Sequence, residues 1–186
     1  LSTSYKFGYL SSGKEDLPFE YGDTWAVEKT TGPERLVIAP RSGHVDVMRA
    51  LIERMPEPFY ILYVFLVPRT HRPAGRYQSP DSVSREELAV FLNRFQKYFE
   101  GDGRHDIWIL SAMDESLLVY DQHNVIYAYG PLDAFKDVLR RRNFEQVPKI
   151  DFPAPHSHHY NAELDSDQNA LLDYWSWKVF PLTDQD

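Results

Sequence analysis

Segments whose apolar residues recur at helical spacing alternate along this chain with short runs that are apolar throughout. Val45, Met48, Leu51, Ile52 and Met55 recur every three or four residues after Ser42 and Gly43, which predicts a helix with one buried face, ended by Pro56 and Pro58. Residues 59–67 carry apolar types on both alternate sets, the mark of a central strand buried on two faces. Residues 68–82 contain three prolines and no periodicity, and read as a loop. Ser84-Arg-Glu-Glu87 is a capping box that opens a helix with the buried stripe Leu88, Phe91, Leu92, Phe95 and Phe99. Residues 107–112, 117–121 and 125–129 are short strands separated by turn chemistry, an antiparallel meander. Pro131 then starts a helix facing inward through Leu132, Phe135, Val138 and Leu139, with Arg140, Arg141 and Arg142 at its C-terminal end.

The ends of the chain are less regular. Residues 1–35 are broken by glycine and proline but hold Tyr5, Phe7, Tyr9, Phe19, Tyr21 and Trp25, and read as an aromatic arm packed on the body. Residues 36–39 form a first short strand, and a last helix is expected from about Ser166 to Trp177. The pattern predicts an α+β (or α/β) fold, with a single mixed sheet of about five strands and helices packed against it. Strands 59–67 and 107–112 are expected to be parallel if they are sheet neighbours, because a helix connects them. Residues 1–150 are read as one α+β domain, with residues 151–186 an acidic extension whose one helix packs on that domain.

Composition narrows the function. The 186 residues carry a net charge of -8 and no cysteine, which excludes a disulfide framework, a thiol nucleophile and thiolate zinc sites. An acidic chain is not expected to bind nucleic acid. No apolar run approaches the ~18 residues of a membrane span, and residues 1–10 lack a hydrophobic stretch, so no membrane partner and a cytoplasmic location are expected.

Three groups of residues could carry function. His156, His158 and His159 offer imidazole to a divalent metal; a strand brings His156 and His158 to one face and turns His159 away. Arg69, His71, Arg72 and Arg76 follow the strand expected to be central, and with Arg41 and His44 at another strand–helix junction they form a candidate anion site. Residues 151–186 hold seven acids against Lys178; Asp165, Asp167 and Asp173 beside Tyr174, Trp175 and Trp177 have the composition of a surface for a basic protein partner. His105-Asp106 and Asp121-x-His123 are acid–histidine pairs without an associated nucleophile, so no catalytic residue is assigned. No phosphate loop, dinucleotide fingerprint or nucleophile elbow occurs, and no cofactor is predicted.

The stretch Glu115-Ser-Leu-Leu-Val-Tyr-Asp-Gln-His-Asn-Val-Ile-Tyr-Ala-Tyr-Gly-Pro-Leu-Asp-Ala-Phe, continuing to Asn143 and Phe144, resembles the strand–acidic turn–strand–helix pattern of some small bacterial immunity proteins of toxin systems. That resemblance implies a non-enzymatic protein that neutralises a partner by binding it, with no catalytic residues. The leading expectation is thus an acidic interaction protein for a cationic partner. The alternative is an anion-binding protein or enzyme using the loop at residues 69–76.

Overall fold

The computed structural model describes residues 4–184. Its frame is a nine-stranded sheet. The N-terminal arm supplies β1 (Phe7–Leu10), β2 (Asp16–Pro18) and β3 (Thr24–Glu28); β4 (Arg35–Ala39) and α1 (His44–Ile52) follow. Next come β5 (Phe59–Phe65), β6 (Gly75–Gln78), α2 (Arg85–Gly101), β7 (His105–Ser111), β8 (Leu117–Tyr120), β9 (Ile126–Tyr129) and α3 (Leu132–Arg141). The chain closes with β10 (Glu145–Gln146), β11 (His156–His158), α4 (Asp165–Leu172) and β12 (Lys178–Phe180). The large sheet runs β10-β3-β4-β9-β8-β7-β5-β6-β12, and β11-β1-β2 form a separate three-stranded sheet.

The α+β class, the capped helix α2 and the β7-β8-β9 meander follow the sequence pattern. The strand count does not: nine strands stand where about five were expected. The missing strands are short, and two of them, β10 and β12, pair only at the sheet's margins. The expected parallel pairing is also corrected, since β5 and β7 are antiparallel neighbours. The cause is β6, which lies inside the supposed loop and pairs antiparallel with β5. The helical crossover therefore joins β6 to β7, two parallel strands that flank β5. β5 is wholly buried on one alternate set, where Phe59, Ile61, Tyr63 and Phe65 are all 0% exposed, while the other set runs from the exposed Tyr60 through the half-buried Leu62 to the buried Val64. The last helix ends at Leu172, five residues before its expected end, because Asp173 caps it and the chain turns into β12.

Strand alternation divides the apolar residues between two layers. Leu36 and Ile38 of β4 point into a large core shared with α1, α2, α3 and α4, whereas Val37 and Ala39 join a smaller cluster with Phe7, Tyr21, Ala26, Val125 and Ile150. The N-terminal arm thus covers the sheet face opposite the helices at the β3-β4-β9 end.

A buried ion pair ties the C-terminal segment to this frame. Arg104 donates through Nε and Nη2 to the two carboxylate oxygens of Asp102 at 2.7 Å each, and both side chains are 0% exposed. Arg104 also reaches Asp165 at 2.6 Å and the Asn161 carbonyl at 3.0 Å, while Asp102 accepts from the Asn161 backbone N–H at 2.8 Å. Every strong donor and acceptor of the pair is therefore used, as a buried charge requires.

Candidate metal centre

β11 pairs with β1, Tyr9 opposite His156 and Phe7 opposite His158. Because the segment is extended, His156 and His158 share one face and Ser157 and His159 the other. The β8–β9 turn brings a third imidazole to the first face. This turn is shaped by Asp121, whose Oδ1 accepts from the backbone N–H groups of His123 (2.9 Å) and Val125 (3.1 Å), and by Asn124 at a φ of 61°. Asn tolerates that left-handed backbone better than most residues.

The outcome is a group of three histidines, His123, His156 and His158, whose candidate ligand nitrogens all lie within 4.8 Å of one another. Ring centroids are 5.3 Å apart for His123–His156, 4.8 Å for His123–His158 and 5.3 Å for His156–His158. Nitrogens bound at about 2.0–2.1 Å to a tetrahedral ion sit about 3.4 Å apart, so small ring rotations close the set on a metal.

Hydrogen bonding leaves nitrogen lone pairs free for that purpose. Asp121 Oδ2 lies 2.8 Å from His123 Nδ1, which fixes the proton there and leaves Nε2 bare. The Pro153 carbonyl does the same for His156 Nδ1 at 3.2 Å. His158 Nδ1 is buried without a hydrogen-bond partner. Burial first, then the neighbouring His123 and His156 rings, holds the His158 pKa down to about 4, so this imidazole is neutral at physiological pH. Metal ligation requires that neutral form.

Behind His123 lies a buried charged layer. Lys6 is 0% exposed, its Nζ 3.7 Å from the centre of the Tyr120 ring and 3.3 Å from the Phe99 carbonyl. Burial lowers its pKa to about 8, against the opposing charges of Asp121, Asp106, Asp102 and Glu100. Asp106 accepts from the Gln122 N–H at 2.9 Å, and burial followed by the Asp121 charge raises it to about 6. Around the imidazoles the walls are aromatic. Phe7 touches all three rings at 5.5–5.7 Å between centroids, and Phe152 stands edge-on to His123 at 5.8 Å.

Of the histidines expected as ligands, His156 and His158 belong to this group and His159 does not. His159 Nε2 binds Asp16 Oδ2 at 2.9 Å on the opposite face of β11. Ser157 Oγ lies 3.3 Å from the same Nε2 and donates to Asp16 Oδ1 at 2.6 Å. Serine and aspartate thus meet one nitrogen of His159, which is not the relay geometry of a hydrolytic triad, where they occupy opposite nitrogens. The sequence marks His123 only as half of an acid–histidine pair. Its partner Asp121 is the second-layer carboxylate that such a pair signals.

The candidate anion residues divide between two environments. Arg41 and the buried His44 line a cleft of about 350 Å³ beside α2, with Lys97 and Glu100. Arg69 instead pairs with Asp165 at 3.4 Å and Arg72 with Asp173, while His71 is exposed and the Arg76 guanidinium sits 5.8 Å from the Trp108 ring. Two of the three candidate partner-binding acids, Asp165 and Asp173, are therefore engaged by arginines of the same chain; Asp167 is half-buried. Trp175 stacks on Phe91 at 4.7 Å, Tyr174 packs on Phe91 and Phe95, and Trp177 donates to the Leu171 carbonyl at 3.1 Å.

Among the described residues no helix is long and apolar enough to cross a membrane. Comparison of the chain with protein-family models, with curated proteins and with solved structures finds no match.

Proposed function

We propose that this protein binds a divalent late first-row transition metal, zinc foremost, through His123, His156 and His158. The observation that carries the reading is the convergence of three imidazoles from two different sheets, one of them oriented by Asp121. Imidazole selects zinc, copper, nickel and iron over magnesium and calcium, and a tetrahedral three-histidine site leaves one position open. Titration of chelator-treated protein with Zn²⁺ in a calorimeter tests it. One equivalent should bind, and His123→Ala should weaken binding at least a hundredfold. Equal affinity in wild type and His123→Ala would overturn the reading.

A second reading, an acidic protein that binds a cationic partner, is favoured by a shallow notch on α2. Glu86, Glu87 and the exposed Val90 lie there beside the half-exposed Tyr174 and Trp175. Carboxylates next to aromatic faces suit a lysine or arginine side chain. Trp175 fluorescence titrated with a short polylysine peptide tests this reading. It predicts a saturable change that Glu86→Gln with Glu87→Gln abolishes, and no change in the wild type would refute it.

A further inference from the structure

Imidazole ligates a metal as a neutral donor, so a divalent ion held by three of them keeps both its charges at the centre. Among the described residues no carboxylate joins the ligand group. The carboxylates around it are committed elsewhere: Asp121 uses Oδ1 for two backbone N–H groups and Oδ2 for His123, Asp106 accepts from the Gln122 N–H, and Asp16 is held by Ser157 and His159 across the strand. Phe7 and Phe152 bring no donor atom. The remaining coordination position therefore falls to a ligand from solvent, and the charge favours an anion.

The surface beside His123 narrows the anion further. Phe152, edge-on to His123, also lines a cleft of about 300 Å³ with Val37, Tyr127, Pro148, Lys149 and Ile150. Val37, Tyr127 and Ile150 belong to the same apolar cluster as Phe7 and Tyr21, so metal group and cleft are built on one continuous surface. Apolar side chains form one part of the cleft, and Glu28, Lys29 and the exposed Lys149 bring charge to the rest of its lining, Glu28 being paired with Arg35. Tyr21, 7% exposed and packed against Phe7 and Phe152, holds a buried hydroxyl without a hydrogen-bond partner, a donor lacking an acceptor. A volume of this order is at the lower end for small-molecule sites.

We infer that the open metal position and this cleft take a single ligand, a monocarboxylate bearing an apolar body of about the size of one aromatic ring. A carboxylate oxygen replaces solvent on the metal, and the ring occupies the space between Phe152, Ile150 and Tyr127. This rests on the metal-binding reading, and the test separates the two. The chelator-treated protein is loaded with Co²⁺, and its visible absorption is followed during titration with acetate and with phenylacetate. Both should shift the spectrum, phenylacetate with at least tenfold higher affinity. Ile150→Ala and Tyr127→Ala should each reduce that preference at least threefold, while Co²⁺ binding is unchanged. Failure to bind Co²⁺ would remove the metal reading itself. Co²⁺ binding with a spectrum indifferent to both carboxylates would overturn the open position. Equal affinity for acetate and phenylacetate, or a preference untouched in both variants, would overturn the role of the cleft.

Discussion

Replacing Asp121 by Asn tests whether the second layer of the histidine group is set up for a metal. The carboxylate Oδ1 accepts from two backbone N–H groups, and an amide oxygen can keep both. The amide NH₂ then faces His123 Nδ1, where Oδ2 stood at 2.8 Å. A donor there forces Nδ1 to accept, moves the ring proton to Nε2 and blocks the lone pair that binds metal. Loss of outer-layer carboxylates costs about 10–100-fold in metal affinity, or about 1.4–2.8 kcal/mol at about 1.4 kcal/mol per factor of ten. Apo stability also falls, because Asp121 offsets the buried Lys6 charge, so affinity rather than melting temperature is the readout. Calorimetric Zn²⁺ titration of both proteins, with circular dichroism to check folding, gives the ratio. Long-range ¹H–¹⁵N spectra of the apo forms should show His123 protonated at Nδ1 in the wild type and at Nε2 in the variant. A folded Asp121→Asn protein whose Zn²⁺ affinity stays within twofold of wild type would refute the reasoning.

Three further outcomes are expected. His159→Ala should leave Zn²⁺ affinity within twofold, because His159 faces Asp16 across the strand; a tenfold loss would place it among the ligands. Asp102→Ala strands the buried Arg104 guanidinium and should cost about 3–5 kcal/mol, a fall of roughly 6–20 °C in melting temperature; a fall under about 2 °C would contradict the buried pair. His105 is 0% exposed, stacked on Tyr98 and near Tyr63, and its pKa is held far below the usual value by burial, then by Lys6 and Arg104. The unfolded chain then binds a proton at His105 that the folded chain refuses, so its contribution is full above pH about 6.5 and is lost progressively as pH falls below it. Asp106, raised to about 6, works in the opposite sense over pH 4–6, so the test is differential. His105→Phe should melt with a shallower loss of stability between pH 6.5 and 4.5 than wild type, and parallel curves would contradict the assignment.

Much of the frame was legible because long periodic segments bury one face whatever their neighbours do. α2 announced itself by its capping box, with Ser84 and Glu87 bonded as that motif requires. β6 was not legible: Gly75, Arg76, Tyr77 and Gln78 lack an apolar alternation, and the segment is a strand because β5 and β12 flank it. One unseen strand was enough to reverse the expected direction of β7 against β5. The tail shows the same limit, since Trp175 and Trp177 continue a helical pattern on paper but the chain turns at Asp173 to pack them against Phe91. At the metal group, alternation along residues 156–159 separated His159 from its neighbours. What sequence spacing could not supply was His123, more than thirty residues away and delivered by pairing that local patterns do not encode. The likeness of residues 115–144 to immunity proteins remains a proposal beside the metal reading. That stretch includes the turn that carries His123.

X-ray absorption at the zinc edge of the protein loaded with one equivalent of Zn²⁺ tests the central claim most directly. The account predicts three imidazole nitrogens at about 2.0–2.1 Å with one or two light atoms completing the shell, and loss of one imidazole in His123→Ala. A shell of six oxygens, or a spectrum that His123→Ala leaves unchanged, would contradict it.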